Sequence, residues 1–556
     1  MSARRGPAVT VVTAAPPTPN GDLHLGHLSG PYSGADIYVR AARLRGRVGY
    51  YVTGSDVHQS YVPTKAARDK VEPLALAEGF ADEIGRIFAH AQFVPDSYVR
   101  PWRTPRHQEL VLEFFARLHE RGALVERTEP AAYCETCERY LFEAHLTGKC
   151  PHCGSTADGN SCENCALPNA VTDLVGAACN GCGGEPTTRP FRRLVFPLSA
   201  YADRLRAWHA ETVLSPQLAA LCADLLARGL PDIPVSHPTD WGIPMPVPGF
   251  TDQRIYVWAE MLPGYFAEVA EALAASGRDP ADWRVVWNDP DTEIVQFFGY
   301  DNGYFHTLLQ PALLMAYDPD LRLPTALLTN EFYQLGNSKF STSRRHAIWA
   351  GDLLAAVPAD VVRFVLARDR PEGERTSFGW ARFHELADGE LAGLWQGWLG
   401  DLLARIDRAA DGRVPELGAP TGPAREMLAV LDRISHDCAH AYSATGFSPR
   451  RATRLLTELV HCARDFAAGQ RRTKDGADPV TAGAALAAEA AAARTLAQLA
   501  APVMPAFAGR LWTALGEVGT PYWDGVRPVA AGSRVDAGAR FFDRLPADLE
   551  RRVMGS

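Results

Sequence analysis

The sequence predicts an α/β protein in which a metal-binding insertion splits a parallel-sheet body and an all-helical region follows. Three observations lead to this fold class. Strand-like and helix-like segments alternate over residues 1–120, and eight cysteines lie in C-x-x-C pairs between residues 134 and 182. From residue 380 onward, apolar residues recur at the three-to-four spacing of amphipathic helices.

The α/β body is predicted from short apolar runs that flank a helical segment. The runs at residues 9–15 (VTVVTAA) and 46–56 (GRVGYYVTGSD) have the length of buried strands. Residues 28–46 between them have helical spacing and end at a glycine, which is typical of a helix stop. The runs at 255–258 (IYVW) and 294–299 (IVQFFG) indicate that strands resume later in the chain.

Composition excludes several classes of protein. The chain has 556 residues, a formal net charge of −9, and 47% hydrophobic and 22% charged residues. This is ordinary globular usage for about three or four domains. The mild acidity argues against a surface covered by nucleic-acid-binding charge, although it leaves room for a local basic groove. No apolar run approaches the ~18 residues of a membrane span, and the N-terminal segment lacks a signal-peptide pattern, so we expect a cytoplasmic protein without a membrane partner.

Eight of the eleven cysteines form four pairs, Cys134/Cys137, Cys150/Cys153, Cys162/Cys165 and Cys179/Cys182. Eight thiolates are enough for two tetrahedral Zn²⁺ sites. A chain of this length does not need disulfides, so the pattern predicts metal in a reducing compartment, with free thiols or a redox pair as the alternative. The spacing does not fix which pairs share an ion. Four cysteines leave no ligand position for a substrate, so zinc is expected to be structural and its loss to unfold the insertion.

Two polar segments have the composition of a phosphate-binding site. In residues 19–27 (PNGDLHLGH), which follow the first predicted strand, His24 and His27 would share one side of a helix's first turn, with Gly26 between them. A helix N-terminus attracts anions, so this placement suits a phosphate chain. In residues 339–345 (KFSTSRR), an ammonium with flanking hydroxyls could hold a polyphosphate during adenylyl transfer. Two ordinary helical histidines and a solvated basic turn are the alternatives.

Together the two segments resemble the His-Ile-Gly-His and Lys-Met-Ser-Lys-Ser signatures of class I aminoacyl-tRNA synthetases, and the methionyl-tRNA synthetase family is the most similar. The resemblance extends through GSDVH at 54–58, TDWGIPMPVPG at 239–249, YVW at 256–258, PGY at 263–265 and FFGYDNGYFH at 297–306. It implies a Rossmann-type parallel sheet split by a zinc-bearing insertion and followed by a helical domain, which reads the anticodon in true synthetases. It also implies nested zinc sites, in which pair 134/137 joins 179/182 and pair 150/153 joins 162/165.

The resemblance further implies a reaction and its site residues. An amino acid and ATP, accompanied by Mg²⁺, would condense to an aminoacyl-adenylate and pyrophosphate. The implied catalytic residues are His24, His27 and Lys339, and the implied ATP-binding residues add Gly26, Ser341 and Ser343. The implied amino-acid pocket consists of Asp56, on the substrate's α-amino group, and Trp258, Met261, Tyr265, Asp301, His306 and Gln310.

The amino-acid pocket departs from the family pattern. Met261 and Leu262 stand where Ala-Pro is expected, Thr18 where a tyrosine is expected, and Gln310 where a tryptophan is expected. A buried glutamine amide without a partner costs about 1–3 kcal/mol, which a polar group on the substrate would relieve. We therefore expect a small or polar amino acid other than methionine. Tolerated changes around a methionine pocket are the alternative.

The phosphate loop and the helical region also depart from the family. Thr342 replaces the second signature lysine, which leaves Arg344 or Arg345 to stabilise charge there. The residues expected to contact an anticodon are replaced within 392–394 and 470–473. These changes predict that the aminoacyl group passes to a small-molecule amine or hydroxyl acceptor. The alternatives are a genuine methionyl-tRNA synthetase that charges tRNA and a non-catalytic RNA-binding or regulatory relative.

The predicted organisation has five parts, and a monomer is expected. They are the first half of the catalytic domain (1–120), the connective insertion (121–237) with zinc knuckles at 133–185, the second half (238–330), the signature loop and linker (331–385), and the helical anticodon-binding-like domain (386–556).

Overall fold

The computed structural model describes residues 8–159, 161–336, 338–339, 347–420, 422–472 and 479–555, without the side chains of 338, 339, 472, 479 and 480. The N-terminal part alternates strands and helices as the apolar runs predict. Its elements are β1 (Val9–Ala14), α1 (Leu25–His27), α2 (Ser33–Leu44), β2 (Val48–Gly54), α3 (Tyr61–Asp69), α4 (Pro73–His90), β3 (Ser97–Val99) and α5 (Pro105–Glu120).

The next part is rich in short strands. Its elements are β4 (Val125–Cys134), β5 (Arg139–Tyr140), β6 (Leu146–Lys149), β7 (Thr156–Ala157), β8 (Val175–Cys179), β9 (Thr187–Phe196), α6 (Ala202–Glu211), β10 (Val213–Leu214), α7 (Pro216–Arg228), β11 (Ile233–Pro234) and β12 (Ser236–His237). The long strands β4 and β9 pair antiparallel within a four-stranded sheet of order β11-β9-β4-β5. A smaller sheet, of order β7-β6-β8, carries the cysteine-rich loops.

The α/β pattern then resumes and leads into helices. The elements are β13 (Arg254–Ile255), α8 (Val257–Ala275), α9 (Trp283–Asn288), β14 (Glu293–Gly299), α10 (Gln310–Tyr317), β15 (Ala326–Asn330), β16 (Tyr333–Leu335), β17 (Ser338–Lys339), α11 (Ala350–Ala356), α12 (Ala359–Arg368) and β18 (Thr376–Phe378). The C-terminal helices are α13 (Trp380–His384), α14 (Gln396–Ala410), α15 (Gly422–Ala441), α16 (Pro449–Arg472), α17 (Pro479–Ala500), α18 (Pro505–Ala514) and α19 (Leu549–Met554).

A six-stranded parallel sheet forms the centre of the catalytic body. Its order is β10-β15-β14-β1-β2-β3, so β1 lies between β2 and the much later β14. Five of the six residues of β1 are buried, because helices cover both faces of a parallel sheet and leave no solvent-facing alternation. The predicted fold class, a parallel-sheet body with a cysteine-rich insertion and a helical C-terminal region, is confirmed.

Two local predictions were wrong. Only Ile255 of the predicted strand IYVW lies in a strand, because helix α8 begins at Val257; a short apolar run does not distinguish a strand from the start of a buried helix. The region after residue 380 is not helical throughout, since no helix lies between Leu515 and Asp548, a segment rich in glycine and proline. The five domain boundaries stay predictions.

Membrane insertion finds no support in the helices. Within the described ranges, every helix is too short or too polar to span a bilayer.

Candidate active site and cysteine clusters

The first signature segment follows the carboxyl end of β1. His24 and His27 stack with ring centroids 3.8 Å apart, and the backbone N–H of His24 donates to Nδ1 of His27 at 3.1 Å. Nδ1 of His27 is therefore the acceptor of this bond. Both histidines are partly exposed, as is Gly26 between them. The two rings therefore lie on one face, near the carboxyl end of the central strand β1.

The second signature segment is joined to the first through its flanking residues. The segment that follows the phosphate loop pairs with the histidine segment through the backbone. His24 and Trp349 form an isolated antiparallel β-bridge, and the backbone N–H of Leu25 donates to the carbonyl of Ile348 at 3.1 Å. Before the loop, Lys339 pairs with Gln334 in the β16–β17 hairpin. Ser341, Thr342, Ser343, Arg344 and Arg345 and the side chain of Lys339 lie outside the described residues. The fold thus brings together two segments more than 300 residues apart in the chain.

Arg370 supports the histidine segment from behind, and sequence reasoning missed it. Its side chain is 1% exposed and its Nη1 donates to the carbonyls of Ser29 and Gly30. Burial lowers the pKa of Arg370 to about 10. The bonds lie at residues 28–32, where the helix widens and Gly30 leaves helical geometry. Arg370 therefore satisfies carbonyls that this irregular turn leaves open.

Asp56 lies just beyond the end of β2. The carboxylate is buried, and its Oδ2 accepts a hydrogen bond from Nε2 of Gln59 at 2.7 Å. Burial raises the pKa of Asp56 well above its usual range. A substrate ammonium would compensate that desolvation and restore the ionised form, as expected of a group that binds the α-amino end of an amino acid.

Tyr265 and His306 form a neutral hydrogen-bonded pair in the predicted amino-acid pocket. His306 Nδ1 lies 3.2 Å from the carbonyl of Asn302, so this nitrogen carries the proton, and Nε2 accepts from the Tyr265 hydroxyl at 3.1 Å. The imidazole stacks on Phe298 with centroids 4.1 Å apart. Burial lowers the pKa of His306 to about 4, so the ring is uncharged at neutral pH.

The other predicted pocket residues have different surroundings. Trp258 is half-buried and stacks on Phe305 with centroids 3.9 Å apart. Met261 is buried on α8, and Asp301 lies half-buried beside Asn302. Gln310 is 2% exposed, and neither atom of its amide has a hydrogen-bond partner among the described residues. The glutamine that the sequence singled out is therefore a buried polar group without compensation.

A second titratable cluster lies behind Asp56, and sequence reasoning did not find it. Oε1 of Glu260 lies 2.7 Å from Nδ1 of His58 and 2.9 Å from Nε2 of His107. Burial raises the pKa of Glu260, but the two histidines outweigh it and hold the pKa at about 2. Glu268 is buried two turns further along α8, where burial raises its pKa. Three glutamates on the otherwise apolar helix α8, at positions 260, 268 and 271, were the available signal.

The eight cysteines gather into two clusters of four, Cys134/Cys137/Cys179/Cys182 and Cys150/Cys153/Cys162/Cys165. All four sulfur atoms of each cluster lie within 4.8 Å of one another. The closest pairs, Cys134–Cys182 at 3.4 Å and Cys153–Cys162 at 3.5 Å, approach the ~3.8 Å edge of a tetrahedral Zn–S₄ site. Backbone N–H groups also donate to the sulfurs, for example Cys137 to Cys134 at 3.3 Å. The grouping is the nested one that the resemblance implies, and the donor set suits zinc.

A large cleft separates the cysteine-rich part from the catalytic body. Its volume is 1590 Å³, and Asn20 and Gly21 of the first signature segment line one side. Its other walls carry charges of both signs, among them Lys65, Arg139 and Asp158.

The helical region carries five arginines that could face phosphates, at positions 450, 451, 454, 471 and 472, and most of them are neutralised by acidic partners. Arg450 pairs with Glu374 at 3.1 Å, and Arg471 pairs with Asp401 at 2.7 Å. Arg451 likewise contacts Asp437 at 3.1 Å. Arg454 is exposed, and the side chain of Arg472 lies outside the described residues.

The chain is similar to known proteins over nearly its whole length. Residues 10–406 match the sequence model of the family described as tRNA synthetases class I (M). The chain is 35% identical to the methionine–tRNA ligase of Thermomicrobium roseum over 77% of this chain and 73% of that protein. It is 32% identical to the methionine–tRNA ligase of Aeropyrum pernix over 98% and 96%.

Solved structures agree on the fold. Mycobacterium tuberculosis methionyl-tRNA synthetase in complex with methionyl-adenylate superposes with a TM-score of 0.78 at 23% identity, covering 97% of this chain and 100% of that one. The apo form of that protein gives a TM-score of 0.74 at 22% identity, over 98% and 99%. The resemblance that the signatures indicated is confirmed: the chain belongs to the methionyl group of the class I tRNA synthetases and is an ATP-dependent ligase of that type.

Proposed function

We propose that this protein activates an amino acid with ATP and transfers it to tRNA. The observation that carries the proposal is the junction of the two signature segments. In it, His24 forms a β-bridge with Trp349, which lies shortly after the phosphate loop. At the end of the neighbouring strand, the backbone N–H of Asp56 donates to the carbonyl of Pro17, in the loop that leads to His24, so groups suited to phosphates and to an ammonium lie at the same edge of the sheet.

In the proposed first step, the amino-acid carboxylate attacks the α-phosphorus of ATP. A carboxyl oxygen–phosphorus bond forms, the bond to the bridging oxygen breaks, and pyrophosphate leaves with the electron pair. His24 and His27 donate to phosphate oxygens, and Lys339, with Ser341 and Ser343, holds the leaving pyrophosphate. Gly26 allows the phosphates to approach the backbone, and ATP brings Mg²⁺ to neutralise its charge.

The pocket residues orient the amino acid. Asp56 binds the α-ammonium, while the neutral pair Tyr265 and His306, with Trp258, encloses the side chain. Asp301 lies in the 3₁₀ turn that directly follows β14. The chemistry needs no covalent enzyme intermediate, so positioning and charge neutralisation supply the catalysis.

Transfer to tRNA replaces the small-molecule acceptor that the sequence predicted. The relatives that match the helical region as well as the catalytic body are named methionine–tRNA ligases, which supports a tRNA acceptor. The replaced anticodon-contact positions therefore favour altered tRNA reading over a different kind of acceptor. Methionine is the amino acid that these names favour, whereas the unpaired amide of the buried Gln310 favours a polar one.

Zinc in the two cysteine clusters has a structural part in this proposal. It holds the loops of the insertion together at one wall of the large cleft, where it takes no part in bond making. We propose a monomer, since one chain contains every residue of the candidate site.

Amino-acid-dependent exchange of pyrophosphate into ATP tests the activation step. Zinc-replete full-length protein is expected to exchange with at least one member of a panel that includes methionine, and to load that amino acid onto tRNA. The His24→Asn variant should lose exchange by about 100-fold or more, whereas the control His119→Asn, exposed on α5, should retain it. Absence of exchange with every amino acid would refute the activation proposal. Exchange without loading of the amino acid onto tRNA would refute the proposal that tRNA is the acceptor.

A further inference from the structure

A small cavity adjoins Asp56 on the side of helix α8. Its volume is 30 Å³, and its walls include Asp56 at the end of β2 and His107 of α5. From α8 it is lined by Val257, Glu260, Met261, Gly264 and Glu268. This volume accommodates one small group of about the size of a water molecule.

The polar atoms of the cavity wall are incompletely paired. Oε2 of Glu260, Oε2 of Glu268 and Nδ1 of His107 are buried, and none has a hydrogen-bond partner among the described residues. The three side chains belong to residues no more than 5% exposed. Native proteins rarely leave such atoms unpaired, so their convergence on one cavity marks a site for a polar group.

Two glycines provide the space that these side chains occupy. A Cβ atom at Gly54 would lie 2.7 Å from Oε1 of Glu268, and one at Gly264 would lie 3.1 Å from Cε1 of His107. Glu260, Gly264 and Glu268 are four residues apart in turn and therefore share one face of α8. The same face forms a wall of the cavity. The spacing of the residues on α8 and the room left by the two glycines therefore both place these carboxylates at the cavity.

The unpaired atoms of the wall also include Oγ of Ser55, a hydroxyl that can accept or donate. Nε2 of His107 faces the ionised Glu260 at 2.9 Å, so Nδ1 is the ring nitrogen left at the cavity wall. Carboxylate oxygens supply the other two positions. The carboxylate of Asp56 lies at the same wall, and burial raises the pKa of both Asp56 and Glu268 because no cation among the described residues compensates them. The cavity therefore matches a cationic group with several hydrogen-bond donors. An ammonium group has these properties, whereas a thioether or a methyl group does not.

We propose that this cavity receives a second ammonium group of the substrate, beside the α-ammonium held by Asp56. The substrate class is a short α-amino acid with an amino group on its side chain. This inference rests on the proposed amino-acid activation. The buried Gln310, with both amide atoms unpaired, agrees with a polar substrate.

The experiment compares diaminopropionic acid with α-aminobutyric acid, in which a methyl group replaces the second ammonium at nearly equal size. With full-length, zinc-replete protein, the pyrophosphate-exchange rate with diaminopropionic acid should exceed that with α-aminobutyric acid by about tenfold or more, the usual worth of a charged buried hydrogen bond. Calorimetric binding of the two compounds to the wild type should show the same order without depending on catalysis.

Glu268→Gln keeps the shape of the side chain and removes its charge. The variant should lower the ratio of the two exchange rates by about tenfold. The control Glu271→Gln removes a carboxylate that lies nearby on α8 but pairs with Arg106 at the surface, and it should keep the wild-type ratio. Equal rates for the two compounds, exchange with methionine alone, or an unchanged ratio in Glu268→Gln would overturn the inference while leaving amino-acid activation intact. Absence of exchange with any amino acid would overturn activation as well.

Discussion

Replacing Arg363 with methionine should destabilise the junction between the catalytic body and the C-terminal helices. Arg363 lies on α12 and its side chain is 2% exposed. It donates five hydrogen bonds, to Asp36 Oδ2 at 2.6 Å and to the carbonyls of Val503 at 2.7 Å, Pro502 at 3.0 Å, Ala91 at 3.1 Å and Gln92 at 3.2 Å. One guanidinium thus ties α2, the turn after α4 and the segment between α17 and α18.

The expected loss follows from what the substitution leaves behind. Breaking a buried ion pair on one side costs about 3–5 kcal/mol, because the remaining charge is uncompensated. Asp36 retains Arg40 at 2.7 Å, which places the expected loss at the lower end, about 3 kcal/mol. Methionine fills much of the volume, so cavity formation adds little.

Urea unfolding followed by tryptophan fluorescence measures this loss. The matched control is Arg433→Met, in which the arginine side chain is 52% exposed and pairs with Glu458, and its cost should stay below about 1 kcal/mol. In the double variant with Asp36→Asn, part of the loss should be recovered because no buried charge remains. A loss equal to that of the control, or no recovery in the double variant, would refute the reasoning.

Three further predictions concern the site and the cysteines. Cys134→Ser should reduce bound zinc from two ions to one per chain by atomic absorption, and unchanged zinc content would contradict the cluster assignment. Lys339→Arg should lower pyrophosphate exchange by about tenfold or more because guanidinium geometry differs from that of an ammonium, whereas near-wild-type rates would mean that charge alone suffices. Since burial lowers the pKa of His306 to about 4, its neutral form stabilises the fold fully above pH ~6.5, and this contribution declines as the pH falls towards 4. The stability advantage of the wild type over His306→Gln should therefore shrink by about 2 kcal/mol between pH 7 and pH 5, and a constant difference in urea unfolding would contradict it.

Sequence patterns predicted the features that depend on local spacing. The buried run of β1, the histidine segment after it and the four cysteine pairs are all visible within a few residues of chain. The grouping of the cysteines required the family resemblance, because the spacing alone allows other pairings. The wrong strand at IYVW shows the limit, since burial on all sides removes the periodicity that separates α8 from a strand.

Features that depend on distant contacts were not predictable. Arg370 looks like any other arginine in an arginine-rich chain until the fold places it under Gly30. The cluster of Glu260 with His58 and His107 joins three elements separated by up to 202 residues. Such groups are defined by packing, which no local pattern records.

The position of β1 in the sheet has a consequence for synthesis of the chain on the ribosome. β1 is the first strand to be translated, but one of its two neighbours, β14, is translated much later. In the folded sheet Val11 of β1 pairs with Ile294 of β14. At about 5–20 residues per second, the nascent strand waits about 15–60 s with that edge uncovered. Aggregation during translation should therefore begin at this exposed edge, where a chaperone would have most to protect.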